Sequence, residues 1–306
     1  MRLGVDLGGT KIEALVLADD GAELQRRRVP TPQGDYDSIV AAIRDLLAAV
    51  THGQPPGVPV GVAIPGAVSP ATGLIKNANS TCLIGRPFDK DLEAILGRPV
   101  RLANDANCFA LSEASDGAAR GAGSVFGVIV GTGTGAGIVV GGRLHEGPNL
   151  IAGEWGHVPL PWPDDDERPG PACYCGRRGC IETFLSGPGL SRSYEGAAGR
   201  FLQAHEIAEL AAQGDDVAEA CMARYERRMA KSLAMVISIL DPEVIVLGGG
   251  VSNIKRLYGN VPRLWREFAF SDQLSTKLVQ AVHGDSSGVR GAAWLWPPAR
   301  TLGGTD

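Results

Sequence analysis

Leu3-Gly4-Val5-Asp6-Leu7-Gly8-Gly9-Thr10-Lys11-Ile12-Glu13-Ala14-Leu15-Val16-Leu17 reads as an apolar strand, a glycine loop and a second apolar strand, and this stretch decides the fold. The turn Asp19-Asp20-Gly21 then sends the chain back through Leu24 towards Val29, which makes a β-meander. From Ser124 the same order returns. Val125 to Val130 is apolar, Gly131-Thr132-Gly133-Thr134-Gly135-Ala136-Gly137 follows, and Ile138 to Val140 forms the next strand before a Gly141-Gly142 turn. The two occurrences lie about 125 residues apart. A pattern that repeats at that distance predicts two related α/β halves.

The segments between them fit the same class. Ile39, Ile43, Leu46, Leu47 and Val50 share one helical stripe, and Asp35 stands where an N-cap belongs. Val60 to Ile64 is a short buried strand ending at Pro65-Gly66, and Val244 to Leu247 is another, opening onto Gly248-Gly249-Gly250. Gly288 to Trp296 reads as a helix rich in small residues. The Pro- and Asp-rich stretch from Pro161 to Pro171 reads as an exposed insertion.

With 306 residues, 44% hydrophobic and 21% charged, the chain can bury two cores. A net charge of -5 favours neither nucleic acid nor an anionic membrane, and Arg26-Arg27-Arg28 and Arg177-Arg178 read as solvated faces. The most apolar region, Ala230 to Leu247, is broken by Asp241-Pro242-Glu243 and reads as a buried helix followed by a strand. No signal-like segment opens the chain, so a cytoplasmic location is expected, with cysteines reduced or metal-bound.

Glycines after a strand let backbone amides converge on an anion. In Asp6-Leu7-Gly8-Gly9-Thr10-Lys11 the Thr10 hydroxyl and the Lys11 charge add to that offer, while Asp6 suits a water on a Mg²⁺ bridging phosphates. Gly131 to Gly137 repeats the offer from the second half, and Gly248 to Gly250 suits flat approach by adenosine. None matches the P-loop or dinucleotide pattern.

Cys173-Tyr174-Cys175-Gly176-Arg177-Arg178-Gly179-Cys180 brings three thiols together, with His157 sixteen residues before the first. Three thiolates and an imidazole complete a tetrahedral zinc site with no open position, hence a structural one. Cys82, Cys108 and Cys221 read as small core residues. Glu154 and Glu182 flank the cluster, where each can accept a sugar hydroxyl.

Asn104-Asp105-Ala106-Asn107 follows the strand-like Val100 to Ala103. An Asp there is an ordinary helix cap, but phosphoryl transfer to an alcohol needs an acceptor for the hydroxyl proton, and Asp105 can supply it. Asn77 and Asn79 offer donor–acceptor pairs to a polyol.

Taken in order, the runs Asp6–Lys11, Asn104–Asn107, Gly131–Gly137, Gly153-Glu154-Trp155-Gly156-His157, the cysteine cluster through Glu182, and Gly248–Gly250 resemble the ROK family of sugar kinases and repressors. Lys76–Thr81, Pro87–Leu92 and Gly153–Trp162 look most like its bacterial fructokinases. The resemblance implies a two-domain actin-like ATPase fold, of ribonuclease H-like type, with nucleotide and sugar in the interdomain cleft. It implies a small domain over residues 1–118, rejoined by a returning C-terminal helix at 288–306, and a large domain over 119–287 with a zinc knuckle at 157–182.

The resemblance also implies roles. Asp105 would be the base acting on the sugar 6-hydroxyl, and Asn79, Asn104, Glu154, His157 and Glu182 would line the sugar pocket. His157, Cys173, Cys175 and Cys180 would hold the zinc, with the second ring nitrogen of His157 facing a sugar hydroxyl. Gly4, Asp6, Gly8, Gly9, Thr10, Lys11, Gly131, Thr132, Gly133, Thr134, Gly135, Gly248, Gly249 and Gly250 would contact ATP and its Mg²⁺. The implied reaction is ATP-dependent phosphorylation of fructose by a homodimer, with N-acetylglucosamine, glucose or mannose as alternative acceptors. Repressors of the family carry a DNA-binding segment before the first glycine loop, and Asp6 stands too near Met1 to leave room for one.

Overall fold

The computed structural model describes residues 1–52, 57–78 and 80–297. Strands β1 (Arg2–Leu7), β2 (Lys11–Leu17) and β3 (Glu23–Pro30) form the expected meander, and helix α1 (Tyr36–Val50) follows. Asp35 caps α1 by accepting from Ser38 N at 3.2 Å. Then come β4 (Val60–Ile64), the two-residue pair β5 (Ala67–Val68) and β6 (Ile75–Lys76), α2 (Phe88–Leu96), β7 (Val100–Asn104) and α3 (Asp105–Ser115). The second half runs through β8 (Ser124–Val130), β9 (Thr134–Val140), β10 (Arg143–Leu144), α4 (Ile181–Leu185), α5 (Gly187–Ala198), α6 (Ala204–Ala212) and α7 (Asp216–Leu240). It ends with β11 (Val244–Gly248), α8 (Leu257–Leu264), β12 (Lys277–Gln280) and α9 (Ser287–Trp294). No described helix is long and apolar enough to cross a membrane.

Two five-stranded sheets result, ordered β3-β2-β1-β4-β7 and β10-β9-β8-β11-β12. In each, three antiparallel strands are extended by two parallel ones, so the halves share a topology as the repeated pattern predicts. Alternation along the strands gives each sheet two buried faces. Val5 and Leu7 of β1 pack with Ile39, Ile43 and Leu47 of α1, whereas Leu15 and Leu17 of β2 pack with Val289 and Ala293 of α9. In the second sheet, Phe126, Val128 and Val130 face α4–α8, while Val125, Val139 and Val246 face Phe109 and Leu111 of α3.

Helices α3 and α9 thus lie between the two sheets and against each other. Their approach requires small residues. A Cβ at Gly291 of α9 would overlap the backbone of Cys108 of α3, and one at Gly4 of β1 would overlap the carbonyl of Val289 and the amide of Ala293. The division we propose at 118/119 follows the connection between sheets; α3 precedes that point yet packs on the second sheet. The returning helix spans Ser287–Trp294, and residues 298–306 of the expected 288–306 lie outside the described residues.

One surface reading needs correction. Arg26 and Arg28 are not simply solvated: they hold the buried carboxylate of Glu13 at 3.1 and 2.8 Å. The 161–171 stretch is largely exposed, as expected, and is anchored by buried Glu167, which pairs with Arg228 of α7 at 2.7 Å. An unpaired carboxylate could not be buried in either place without ionic partners.

Candidate functional site

Asp105 is the first residue of α3, at the C-terminal end of β7. Asn104 caps the helix, its Oδ1 accepting from Ala106 N at 2.9 Å, and its amide nitrogen reaches the Gly66 carbonyl at 3.4 Å. The Asn104 side chain thus helps to fix the turn that aims Asp105. The Asp105 carboxylate is exposed at the cleft surface but backed by protein, and this crowding raises it above the usual carboxylate range, against the bond from Ala106 N. Asp6, at the end of β1, is raised to about 7, first by burial, then by the Asp105 and Glu13 carboxylates, with Lys11 opposing. Asp6 and Asp105 are thus within electrostatic reach of one another, at the ends of β1 and β7, which flank β4 in the parallel part of the first sheet.

The first glycine loop turns its carbonyls into the protein. Gly8 O accepts from Thr31 Oγ1 at 2.7 Å and Gly9 O from Gln33 Nε2 at 2.6 Å. The amides of Gly9 and Thr10 bond to nothing among the described residues. In the second loop, Thr132 and Gly133 likewise keep their amides free, while Gly131 O is taken by Gly187 N at 2.8 Å. Amides without partners beside carbonyls already bonded are the donor set that an anion requires.

Several of the residues expected at the nucleotide also pack closely against neighbouring elements. Gly4 lies mid-strand under α9. Thr134 and Gly135 belong to β9 rather than to the loop: the Thr134 side chain is buried, and Gly135 sits on Ala106 of α3. Gly248 faces the Phe109 ring, and Gly249, at φ 78°, lies on the Val130 backbone, which leaves Gly250 with open space beside it. Each of these glycines permits the close approach of a helix, strand or side chain.

His157, Cys173, Cys175 and Cys180 converge, one ligand atom from each lying within 4.8 Å of all the others. Cys175 Sγ and Cys180 Sγ are 3.7 Å apart, and Cys173 Sγ is 3.5 Å from His157 Nδ1. Tetrahedral zinc with Zn–S bonds of about 2.3 Å spaces its sulfurs about 3.8 Å apart, so the residues fit the ion. The other His157 nitrogen, expected to face a sugar, lies 2.8 Å from the Tyr174 hydroxyl. Glu182 accepts from Thr134 N through Oε2 at 2.9 Å, so part of this expected sugar ligand is bonded to the first residue of β9, where the second glycine loop ends. Glu154 is exposed at the cleft, and Asn79 lies outside the described residues.

A cavity beside Asp105 is lined by Ile64, Asn104, Asn107, Ala136, Glu146 and Glu154. Asn107 Oδ1 is buried and accepts nothing from the protein, and burial raises the Glu146 carboxyl against the pull of Arg101. Sequence reasoning missed both residues. Asn107 is three residues after the helix cap, on a face that only the packing of α3 defines, and Glu146 sits in a loop with no motif.

A family model described as the ROK family matches residues 2–299. The chain belongs to the ROK family. ROK relatives agree with this along the whole chain. The N-acetyl-D-glucosamine kinase of Photobacterium profundum is 40% identical over 299 residues, covering 96% of this chain and 99% of that one. The ROK hexokinase of Thermus thermophilus superposes with a TM-score of 0.84 at 33% identity, covering 96% of this chain and 97% of that one. A ROK family glucokinase from Streptomyces griseus, solved with glucose and AMPPNP, gives 0.73 at 30% identity, covering 95% and 97%. The fold is therefore the two-domain actin-like ATPase fold that these ROK proteins share.

Proposed function

We propose that the protein is an ATP-dependent sugar kinase that phosphorylates a hexose 6-hydroxyl. The observation that carries this reading is Asp105, set by Asn104 at the start of α3 and open to the cleft. A carboxylate placed there can take the hydroxyl proton as the oxygen attacks the γ-phosphorus. The free amides of the two glycine loops support ATP as donor. Asp6 would hold a water on Mg²⁺, which supplies charge neutralisation at the phosphates. The cysteine cluster would hold a structural zinc that fixes Glu154 and Glu182 beside the cleft.

N-acetyl-D-glucosamine is the acceptor best supported, because curated relatives similar over nearly the full chain carry that activity in their names. Fructose is the second reading, favoured by Lys76–Thr81, Pro87–Leu92 and Gly153–Trp162. We also take the enzyme to be a cytoplasmic homodimer, on family resemblance. A coupled ADP-release assay across hexoses and N-acetylhexosamines tests the reading. The expected result is turnover with at least one of them and preference for the acetylated sugar. Preference for fructose would reverse the acceptor assignment, and turnover of none would remove the kinase.

A further inference from the structure

The cavity beside Asp105 has a volume of about 40 Å³. One water-sized group needs about 10–15 Å³ of such space, so the cavity holds about three of them. A hexose ring must stay outside it, and only a short substituent can enter. Asn104 and Glu154, both expected at the sugar, belong to its lining, so the cavity adjoins the place where the sugar is expected.

The lining is of two kinds. Ile64, Val68 and Leu150 supply apolar surface. Leu150 does so at φ 53°, a left-handed conformation that a residue with a Cβ rarely adopts, while Ile151 next to it is 55% exposed. The loop thus carries a local backbone cost while Leu150 lines the cavity. Against this apolar surface stands the Asn107 amide, whose Oδ1 is buried and has no donor among the described residues. A buried acceptor stripped of water and left unpaired marks a place where a ligand N–H or O–H belongs. A hydroxyl could satisfy Asn107, but it would leave the apolar surface uncovered. An acetamido group has an N–H at its root and a methyl at its end, and beyond its nitrogen it has three heavy atoms, about what the cavity holds.

We propose that this cavity receives the C2 acetamido group of the acceptor sugar, its N–H donating to Asn107 Oδ1 and its methyl lying against Ile64, Val68 and Leu150. Asn107 is then a specificity-determining residue, distinct in role from Asp105, two residues before it on the same helix. An acceptor without the acetamido group forfeits the methyl contact, and one with a longer acyl chain does not fit.

This inference rests on the kinase reading, and the test separates the two. Wild type is assayed with glucose, N-acetylglucosamine and N-butyrylglucosamine, for kcat/KM and for Kd by calorimetry without ATP. The N-acetyl sugar should exceed glucose by about tenfold or more, and the N-butyryl sugar, with two further methylenes, should fall about tenfold or more below the N-acetyl one. Asn107→Leu, of similar size, leaves the acetamido N–H unpaired and should lower the ratio of N-acetylglucosamine to glucose about tenfold. Val68→Phe fills the cavity from another wall and should lower the same ratio, so the result does not hang on one variant that folds. Equal use of the N-acetyl and N-butyryl sugars, or a ratio unmoved in either folded variant, overturns the inference while wild-type turnover keeps the kinase reading. Preference of wild type for an unacetylated hexose does the same. If wild type turns over no sugar, the kinase reading falls and this inference with it.

Discussion

Glu182 Oε2 accepts a hydrogen bond from the backbone amide of Thr134 at 2.9 Å, which ties the residue two places after the last cysteine to the strand that leaves the second glycine loop. One carboxylate thereby joins the region expected to hold sugar to the region expected to hold phosphate. Glu182→Ala leaves the Thr134 amide without its partner, so the KM for sugar and the KM for ATP should both rise, each by about tenfold. Glu182→Gln keeps a carbonyl oxygen for Thr134 and should spare the ATP constant while still weakening sugar. Steady-state kinetics of the two variants decide the matter; an alanine variant altered only towards sugar would show that the bond does not couple the regions.

Asp105→Asn retains the size and the helix-start position of the side chain but removes the proton acceptor. Turnover should fall by about 10²–10⁴, the usual worth of general-base help, while sugar affinity stays near wild type. Because burial raises the Asp105 carboxyl, the acidic limb of kcat/KM in wild type should lie above the pH at which an ordinary aspartate titrates. Activity close to wild type in the asparagine variant would remove Asp105 from the chemistry.

How much of this was legible in the sequence varies with the kind of interaction. The doubled sheets were legible because strand alternation and glycine loops are local signals, and they recur in Leu3–Leu17 and Val125–Val140. The metal cluster was legible because ligand spacing is itself the chemistry. What was not legible are contacts between elements distant in sequence. That Gly4, Gly135 and Gly248 also let α9, Ala106 and Phe109 approach closely is not written in the glycine loops themselves. Glu13 and Glu167 give no sign in the sequence that Arg26, Arg28 and Arg228 accompany them into the interior. The His157–Tyr174 bond depends on a ring orientation that no spacing encodes.

The metal cluster predicts a shared fate for stability and sugar binding. Cys175 is the exposed member, so Cys175→Ser removes a ligand with little loss of core packing. Zinc content measured by atomic emission should fall from about one per chain to a small fraction, since affinity and folding of such sites are linked. Tm should drop by several degrees, as a loss of about 2 kcal/mol gives in a protein of this size. The sugar KM should rise with it. A freshly purified wild type free of zinc would contradict the assignment of the metal.

Asp6 gives a prediction of opposite signs for stability and function. Its carboxyl is raised from 3.8 to about 7, so the folded protein holds a proton that the unfolded chain has lost across that interval. Folding stability from this group is then fullest below the unfolded value and declines as pH rises through the interval, levelling off above about 7. Asp6→Asn cannot ionise and should lack that decline. At pH 8 the variant should therefore melt above wild type, and the gap should narrow as pH is lowered towards 4. Activity should move the other way, because an ionised Asp6 is what a hydrated Mg²⁺ beside the phosphates requires. Differential scanning calorimetry across pH, run beside the kinase assay, checks both. A variant that melts below wild type at pH 8 would mean that Asp6 contributes to the fold as a charged group rather than despite its charge.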